Sequence, residues 1–578
     1  MSLSTALTTT SSPLPGHGNG AYRILRLFQG AALRAFDGML RDPEDAQIAR
    51  LAAILDNGVG SAFSREHGIE HCKGPREVRL VNLRALPIRT HADLLPWLDR
   101  MEAGEPDVLT RGPVRHLVET SGTTGRPKHL PVTDPWIASC NLAQRLWMLG
   151  LLRDDEPLAG GKALSIISAA EHARSPSGIP IGSNTGRMFL AQPWWTRLKT
   201  AVPYPVCQIA DPELRAYTLL RHALGKDIRS WTTANPSTIL LYSRRLQTWW
   251  EDLRADAVDG TLRRGPAAAL SPAERSALAQ GLRRVPSRLL GDDPHPARVW
   301  PLRRINCWTG GSARFFLDKL PEALGADIPV REVGIHASEG VFAISVDDGD
   351  PVAWLAGHFL EFRELDAPEH DPRGPVSTLW GSEPEHGIRL AWELETGREY
   401  ELIVTTEAGL WRYAMGDVVR CTGWLGRVPR LVFVRKAGAF LNATGEKLTE
   451  DQVLAAAKRA FPGATAVCAA TEWTDPPRVV VGLECAVPPR SGGRWHGGPE
   501  AGAGGDGGAF DRELQTENLE YASKRESGRL APARVVALPA GTFARWRSEK
   551  IAAGAPEAQV KDAVIVGVER VLAAAAER

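Results

Sequence analysis

The segment 120–128, Thr-Ser-Gly-Thr-Thr-Gly-Arg-Pro-Lys, is dense in residues that can bind phosphate. Its glycines let backbone N–H groups approach an anion, its hydroxyls donate hydrogen bonds, and its lysine supplies a positive charge. It is not a Walker A loop, because it does not end in Gly-Lys-Ser/Thr. Alone, such a loop is most often a surface turn, but strand-like runs at 114–119 and 129–133 flank this one. The candidate phosphate-binding residues are Ser121, Gly122, Thr123, Thr124, Gly125 and Lys128.

Two further segments carry polar residues next to apolar runs. Segment 334–340 contains Ser338 and Glu339 in Gly-Ile-His-Ala-Ser-Glu-Gly, and segment 411–417 ends in Asp417 in Trp-Arg-Tyr-Ala-Met-Gly-Asp. One aspartate can accept hydrogen bonds from both vicinal hydroxyls of a ribose, so Asp417 is a candidate nucleoside ligand. Taken alone, the Ser-Glu pair is typical of a solvated turn and the Gly-Asp pair of a hairpin turn.

These segments together resemble the motifs of the adenylate-forming superfamily, which contains acyl-CoA synthetases and peptide-synthetase adenylation domains. The loop 120–128 is similar to its phosphate-binding motif. Over about 51–566 the chain resembles the GH3 acyl acid amido synthetases, with bacterial members as the expected class. The resemblance implies that a carboxylic acid reacts with ATP and Mg²⁺ to give an acyl-adenylate and pyrophosphate. It implies further that an amine, expected to be an amino acid, then takes the acyl group as an amide.

The resemblance assigns roles to residues of all three segments, 120–128, 334–340 and 411–417. Ser338 would lie near the α-phosphate of ATP, and Glu339 and Thr124 would coordinate Mg²⁺. Asp417 would bind the ribose, in a signature where Trp411 stands in place of the family's tyrosine. These assignments predict that residues distant in sequence form one nucleotide site.

Matches elsewhere in the chain extend this expected site. Gly310 and Gly311 match a Gly-Gly pair that lets backbone approach the adenine, and Arg435 matches an arginine that contacts the ribose or a phosphate. Lys447 ends a stretch similar to the family's Asn-x-x-x-Glu-Lys and would reach the phosphates in one domain orientation. Lys561 matches a C-terminal lysine that stabilises the charge growing as the carboxylate attacks the α-phosphate. An isolated lysine is otherwise typical of a solvated surface, so both lysine assignments depend on the other motifs.

The elements that must position these residues alternate between helical and strand-like patterns, which predicts an α/β fold. By resemblance this is the adenylate-forming architecture. It has a large N-terminal α/β domain at 21–434 that includes a β-rich subdomain, and a small mobile C-terminal α+β domain at 439–578. A hinge is expected at 435–438. The composition of residues 1–20 predicts a disordered N-terminal segment, a disordered lead to the first domain. The Gly/Pro-rich composition of 488–508 predicts a flexible insertion.

Local patterns predict several elements within these domains. Apolar residues at helical spacing predict helices at 238–253, 511–526 and 563–575. Thr449 and Gln452 have the spacing of a capping box, which predicts that a helix begins there.

The composition is that of an ordinary globular protein, with 43% hydrophobic and 24% charged residues among 578. The net charge of +1 gives no global field that would attract nucleic acid or an anionic membrane, so small-molecule partners are expected. No apolar stretch approaches the roughly 20 residues of a membrane-spanning helix. The seven cysteines are scattered and form no CxxC pair, so neither a disulfide framework nor a zinc site is indicated. The reducing cytoplasm is the expected location.

Two alternative functions stay open at this point. An acyl-CoA ligase shares every nucleotide motif above and differs in its acceptor, and a nucleotide-binding regulator that has lost catalysis would keep the nucleotide site. The joint presence of Lys128, Glu339, Asp417 and Lys561 favours an enzyme, since a binding module has no evident need for all four.

Overall fold

The computed structural model describes residues 20–69, 80, 83–120, 128–192, 194–365, 387–436, 440–485, 507–552 and 564–576. The predicted lead before Gly20, the loop residues 121–127, the predicted insertion through residue 506, and Lys561 lie outside the described residues. The last two residues of that predicted insertion belong to the helix Gly507–Glu517.

Two compact units make up the chain. The first contains residues 1–119, 129–236 and 242–437, and the second contains 438–578 with the short segments 120–128 and 237–241. The strand Val428–Lys436 continues two residues past the end expected from the sequence, so Arg435 and Lys436 belong to a sheet. The hinge expected at 435–438 stays a prediction.

Helices of the first unit begin with recognisable start signals. The side chain of Asp42 accepts a hydrogen bond from the backbone N–H of Asp45 at 3.0 Å, and Pro43 occupies the first helical turn, where its missing N–H costs nothing. None of the described helices is long and apolar enough to cross a lipid bilayer. The helices are Gly20–Leu27, Gly30–Arg41, Pro43–Gly58, Ala62–Glu66, His91–Glu102, Asp134–Asp154, Asn184–Leu190, Trp194–Arg197, Pro212–Ala223, Pro236–Thr248, Trp250–Asp259, Pro272–Leu278, Pro296–Val299, Arg314–Leu317 and Leu320–Leu324.

Strands of the first unit form three sheets. Their bounds are β1 His116–Thr120, β2 Lys128–Val132, β3 Lys162–Ser165, β4 Ala173–Arg174, β5 Pro180–Gly182, β6 Ile228–Thr232, β7 Arg304–Cys307, β8 Val330–Glu332, β9 Ile335–His336, β10 Val341–Ile344, β11 Val352–Ala353, β12 Phe359–Glu364, β13 Ile388–Arg389, β14 Glu399–Thr405, β15 Tyr413–Leu425 and β16 Val428–Lys436.

The three sheets differ in the direction of their strands. The sheet β3-β6-β7-β8 is parallel throughout, so the loops that follow its strands lie at one edge. The eight-stranded sheet β13-β12-β14-β15-β16-β11-β10-β9 is antiparallel, and the sheet β2-β1-β5-β4 is mixed. This combination confirms the predicted α/β class with a β-rich part.

One hydrophobic core joins several helices of the first unit to the eight-stranded sheet. Trp136, Cys140 and Ala143 are buried on the same side of the helix Asp134–Asp154. Their spacing of three to four residues places them on one helix face, which packs into this core. The long helix therefore has a fixed rotation about its axis, and Trp136 at its first turn points inward.

The second unit has the α+β composition expected for the small domain. Its strands are β17 Phe440–Leu441, β18 Leu448–Thr449, β19 Ala464–Glu472, β20 Arg478–Cys485 and β21 Arg534–Leu538, with β17 paired to β18 and a sheet in the order β19-β20-β21. Its helices are Glu450–Ala460, Gly507–Glu517, Leu519–Glu526, Thr542–Ala552 and Val568–Ala576.

The predicted capping box is confirmed, but the helix predicted at 511–526 is interrupted. The N–H of Gln452 donates to the hydroxyl of Thr449 at 3.3 Å, and the N–H of Thr449 donates to the amide oxygen of Gln452 at 3.2 Å. The helical run predicted at 511–526 is two helices separated by Asn518. Its side chain accepts a hydrogen bond from the N–H of Tyr521 at 2.8 Å, because asparagine is a strong helix cap that starts a new helix.

Two other predicted helices have different bounds in the structure. The helix expected at 238–253 is two helices that break at Trp249. The helix expected at 563–575 begins only at Val568, because the residues before it form backbone hydrogen bonds with Ala469 of β19.

Five cysteines are buried free thiols, and they lie in both units. Burial raises the pKa of Cys207 to about 11 and the pKa values of Cys140 and Cys468 to about 12. Burial also raises the pKa values of Cys307 and Cys421. These thiols are therefore neutral at physiological pH.

Candidate functional site

Two loops follow the carboxyl ends of β7 and β8, and both bond to the side chain of Glu332. One carboxylate oxygen accepts hydrogen bonds from the N–H of Thr309 at 2.6 Å and from its hydroxyl at 2.7 Å. The other accepts one from the N–H of Gly334 at 3.0 Å. Burial raises the pKa of Glu332, although these hydrogen bonds oppose the rise. Sequence reasoning missed this residue; an acidic residue at the end of a buried strand was the available signal.

Gly310 and Gly311 lie in the first of these loops and pack against β16. A Cβ atom on Gly310 would stand 2.6 Å from the carbonyl oxygen of Phe433, a contact that real side chains do not make. Gly311 has a φ of +57°, and a Cβ atom there would meet the ring of Phe433 at 2.9 Å. The glycines therefore let the loop approach the strand that also carries Arg435. Their contact with adenine stays a prediction.

Ser338 and Glu339 lie at the tip of a tight turn between β9 and β10, and both are half-buried. Two backbone hydrogen bonds of 2.9 and 3.3 Å close the turn. The carbonyl of Glu339 accepts a hydrogen bond from the indole N–H of Trp136 at 2.7 Å, and that of Ala337 accepts one from the side-chain amide of Asn184 at 3.4 Å. Side chains from two helices thus fix the position of this turn.

The buried side chain of Tyr413 interacts with carboxylates from two of the sequence motifs, 334–340 and 411–417. This tyrosine is buried at the start of β15, and burial, Glu339 and Asp417, in that order, raise the pKa of its phenol. Both carboxylates therefore lie near one hydroxyl group. In the ladder between β15 and β16, Asp417 is opposite Lys436, and Arg435 is paired one position along. The structure thus places Glu339 and Asp417 in the same region of the first unit, while Nη2 of Arg435 lies 3.4 Å from a carboxylate oxygen of Glu399.

Arg412, inside the third motif, forms a fully buried ion pair with Glu361 of β12. Its Nε and Nη2 lie 3.0 and 3.2 Å from the two carboxylate oxygens, and its Nη1 donates to the carbonyl of Leu86 at 2.7 Å. Neither charged side chain is more than 1% exposed. Arg412 also has a φ of +45°, a conformation that is uncommon outside glycine. The arginine of this motif therefore supports the strand that carries Asp417.

A cluster of histidine and glutamate side chains flanks the two ends of the predicted phosphate loop. His129 in β2 has Nδ1 2.9 Å from a carboxylate oxygen of Glu102 and Nε2 3.5 Å from one of Glu119 in β1. His172 Nε2 lies 3.5 Å from the other oxygen of Glu119. The interaction with Glu119, and then that with Glu102, raises the pKa of His129, and the interaction with His129 lowers the pKa of Glu119.

This cluster predicts that the stability contributed by His129 depends on pH. Because the folded pKa of His129 is raised, its contribution is fully present below the ordinary value of about 6.5 and is lost as pH rises through the folded pKa. We expect the melting temperature of His129→Gln to fall furthest below that of the wild type near pH 6, with a smaller gap at pH 8 and above. Thermal denaturation at several pH values measures this gap.

His295→Gln is the matched control for this measurement, because His295 pairs with Asp293 on an exposed surface. Its melting temperature should follow that of the wild type closely. A gap for His129→Gln that stays constant between pH 6 and 9 would show that His129 stabilises the fold through packing and not through its charge.

In the second unit, Lys447 lies in the turn between β17 and β18, is half-buried and has a φ of +47°. The neighbouring carboxylate of Glu446 is buried and accepts hydrogen bonds from the N–H groups of Ala443 and Thr444 at 2.6 and 2.7 Å. The carbonyl of Lys447 accepts one from the side-chain amide of Asn518 at 3.4 Å. These bonds fix the backbone that carries Lys447, and sequence reasoning did not single out Glu446.

The described residues contain only part of the expected site. Lys128 is the first residue of β2 and is half-buried. Of the two expected magnesium ligands, Glu339 is described, and no group of three or more His, Cys, Asp or Glu side chains in the described ranges could hold a metal. One protein carboxylate combined with substrate phosphates is a common magnesium arrangement, so Glu339 fits that role. Outside the described residues lie Ser121, Gly122, Thr123, Thr124, Gly125 and Lys561.

Comparison with known protein families gives three consecutive matches. The sequence matches the GH3 family N-terminal domain over residues 32–330, the GH3 family central domain over 352–436 and the GH3 family C-terminal domain over 467–569. The first of these matches alone covers more than half of the chain.

Comparison with individual proteins gives matches of similar extent. The chain is 26% identical to a probable indole-3-acetic acid-amido synthetase GH3.2 of Oryza sativa subsp. japonica, over 92% of this chain and 89% of that protein. It is also 26% identical to the jasmonoyl–L-amino acid synthetase JAR6 of Nicotiana attenuata, over 75% of this chain and 76% of that protein. The solved structure of a GH3.15 acyl acid amido synthetase aligns over 97% of each chain with a TM-score of 0.61 at 17% identity, which shows a shared fold.

Proposed function

Because this chain belongs to the GH3 family, we propose that it is an ATP-dependent ligase that joins a carboxylic acid to an amine through an acyl-adenylate. The acid is a small molecule, and the amine is an amino acid. The relatives named above are amido synthetases that act on indole-3-acetic acid or make jasmonoyl-amino acid conjugates, and this chain spans most of the length of both.

The observation that carries the proposal is that the carboxylates of Glu339 and Asp417, from two separate motifs, both raise the pKa of the buried phenol of Tyr413. One carboxylate can accept hydrogen bonds from the ribose hydroxyls and another can hold a magnesium ion on the phosphates, and the two motifs supply one each. Arg435 lies on the neighbouring strand, and Gly310 and Gly311 pack against that same strand. Four separate stretches of sequence therefore converge in the first unit.

The first half-reaction forms an acyl-phosphate bond. One oxygen of the acid's carboxylate attacks the α-phosphorus of ATP, the bond to the β-phosphate breaks, and pyrophosphate leaves. In the proposal, Asp417 and Arg435 hold the ribose and Ser338 lies by the α-phosphate. Glu339 and Thr124 would hold a magnesium ion on the triphosphate. The ion would neutralise part of the negative charge of the triphosphate. Such a reaction depends mainly on positioning and electrostatic stabilisation.

The loop residues and the two lysines complete this charge stabilisation. The loop, through Ser121, Gly122, Thr123, Gly125 and Lys128, would bind the β- and γ-phosphates. Lys447 and Lys561, which both belong to the second unit, would act on the phosphate side. No serine or cysteine nucleophile is needed, and the thiols of Cys140, Cys207, Cys307, Cys421 and Cys468 are neutral and buried.

The second half-reaction transfers the acyl group. The amine nitrogen attacks the acyl carbonyl carbon, the carbon–oxygen bond to AMP breaks, and the nitrogen loses a proton as the amide forms. A rotation of the second unit about the hinge proposed at 435–438 would let one site serve both half-reactions. The free thiols support the reducing cytoplasm as the location.

The test is pyrophosphate release from ATP and Mg²⁺ against a panel of carboxylic acids that includes indole-3-acetate. Each acid is supplied alone, with a mixture of amino acids, and with CoA, and products are identified by mass spectrometry. We expect acid-dependent release that rises with one amino acid and yields its amide. A thioester in the CoA arm instead would identify an acyl-CoA ligase. ATP binding without release across the panel would favour a nucleotide-binding regulator.

A further inference from the structure

Arg187 is a buried cation with no anionic side chain beside it in the part of the chain that the structure describes. It lies on the helix Asn184–Leu190 and is 8% exposed. Its Nη2 donates to the side-chain oxygen of Asn184 at 2.9 Å, and its guanidinium carbon stands 4.7 Å from the centre of the Trp136 ring. Among the described residues, no carboxylate lies within ion-pair distance of it.

The titratable groups closest to Arg187 are both neutral at physiological pH. Burial raises the pKa of the Cys140 thiol to about 12. Burial, and next the charge of Arg187, lowers the pKa of His116 to about 4. Burial also lowers the pKa of Arg187, but an arginine guanidinium stays protonated in proteins. The positive charge of Arg187 is therefore stabilised by the Asn184 oxygen and the Trp136 ring but not by an anion among the described residues.

Four of the other buried arginines of the described ranges differ from Arg187, because each forms an ion pair with a carboxylate. Arg331, Arg389 and Arg412 form ion pairs with Asp154, Glu364 and Glu361, and Arg245 pairs with Glu213. The charges of Asp93 and Asp256 act to raise the pKa values of Arg89 and Arg221, respectively. Burying a charge without a partner is costly, so an exception to this pattern indicates that the partner is a ligand.

The position of Arg187 next to the turn that carries Ser338 and Glu339 indicates which reactant its ligand is. Its two direct neighbours, Trp136 and Asn184, are the side chains that donate hydrogen bonds to the carbonyls of Glu339 and Ala337. Arg187 thus stands directly behind the turn at which the acid meets ATP in the proposed function. The residues assigned so far bind the ribose, the phosphates and magnesium, and none of them recognises the acid.

We propose that Arg187 binds a second anionic group of the acyl acid, so that the substrate is a dicarboxylic acid or a close equivalent. This inference rests on the proposed function. The reacting carboxylate loses its charge when it becomes the acyl-adenylate, and a contact to it would favour the ground state over the product of that step. A second carboxylate keeps its charge through both half-reactions and compensates Arg187 throughout.

The experiment compares acids that differ by one carboxylate. Glutarate, adipate and pimelate are matched with pentanoate, hexanoate and heptanoate, and 4-carboxyphenylacetate is matched with phenylacetate. Wild type, Arg187→Gln and Arg187→Lys are studied by two readouts: the melting temperature with each acid in the absence of ATP, and acid-dependent pyrophosphate release. Arg187→Gln breaks no ion pair, so it should fold. Arg174→Gln is the control, since Arg174 is an exposed arginine paired with Glu171.

We expect at least one diacid to raise the melting temperature of the wild type more than its matched monoacid, and Arg187→Gln to abolish that difference. In pyrophosphate release, the preference for the diacid in kcat/KM should fall by about tenfold or more in Arg187→Gln. Arg187→Lys should keep part of it, because the charge remains. Arg174→Gln should keep all of it.

Two results would overturn the inference: a wild type that responds equally to every diacid and its monoacid, or an Arg187→Gln variant that loses activity with both by the same factor. Failure of the proposed function gives a different pattern, in which no acid supports pyrophosphate release. In that case the melting temperatures still decide whether Arg187 binds a second carboxylate.

Discussion

Replacing Lys561 by alanine slows formation of the acyl-adenylate by on the order of a hundredfold or more. As the carboxylate attacks the α-phosphate, negative charge grows on the phosphoryl oxygens, and a positioned ammonium group stabilises it most in the transition state. The loss should therefore appear in the rate of pyrophosphate release. Amide formation from supplied acyl-adenylate should keep its rate, because that step no longer involves the α-phosphate attack. Single-turnover measurements of the two half-reactions test both statements.

Lys458→Ala is the matched control, because Lys458 is exposed on the helix Glu450–Ala460 of the same unit. Its rates should equal those of the wild type in both half-reactions. Wild-type pyrophosphate release by Lys561→Ala would remove this lysine from the chemistry. Equal losses in the two half-reactions would instead assign it to the folding of the second unit.

Replacing Arg412 by methionine should destabilise the first unit by about 3 kcal/mol, because the buried carboxylate of Glu361 would lose the arginine that forms two hydrogen bonds with it and keep only Arg84, whose Nε lies 3.5 Å away. The carbonyl of Leu86 would lose its hydrogen bond as well. Urea unfolding followed by tryptophan fluorescence measures the change in the free energy of unfolding. Since two compact units can unfold separately, the transition of the first unit is the one to fit.

Arg363→Met provides a control on the same strand as Glu361. Arg363 pairs with Glu401, with Nε 2.9 Å from a carboxylate oxygen, but its side chain is 43% exposed. Because Glu401 is only 9% exposed, the loss of Arg363 should cost more than that of a surface pair but less than the loss of Arg412, whose own charge is fully buried. A cost for Arg412→Met no greater than that for Arg363→Met would contradict the role given to the buried pair.

Features that depend on neighbouring residues could be predicted from the sequence. The capping box of Thr449 and Gln452 joins residues three positions apart, and it is present in the structure. Glu339 and Asp417 were singled out by short motifs, and both lie beside Tyr413. The α/β class followed from alternating local patterns in the same way. In each case the information lies within a few residues.

Features that join distant parts of the chain could not be predicted in this way. Nothing in the sequence around Glu361 indicates that Arg412 is its partner, and nothing around Glu332 indicates that Thr309 bonds to it. The helix expected at 563–575 starts late for the same reason, since β19 takes the hydrogen bonds of the preceding residues. Tertiary contacts decide these positions, and local propensity is only a weak guide to them.

The buried thiols make the protein well suited to site-specific dye labelling. Thiol reagents attack an accessible thiolate, and the five buried cysteines named above offer neither thiolate nor access at neutral pH. Replacing only Cys72 and Cys485 by serine would therefore leave little background reactivity. Cysteines introduced at the exposed positions Arg174 and Lys458 would then carry a fluorophore pair with one dye on each unit. A change in energy transfer between the dyes during turnover is expected if the second unit rotates as proposed, and constant transfer would contradict that rotation.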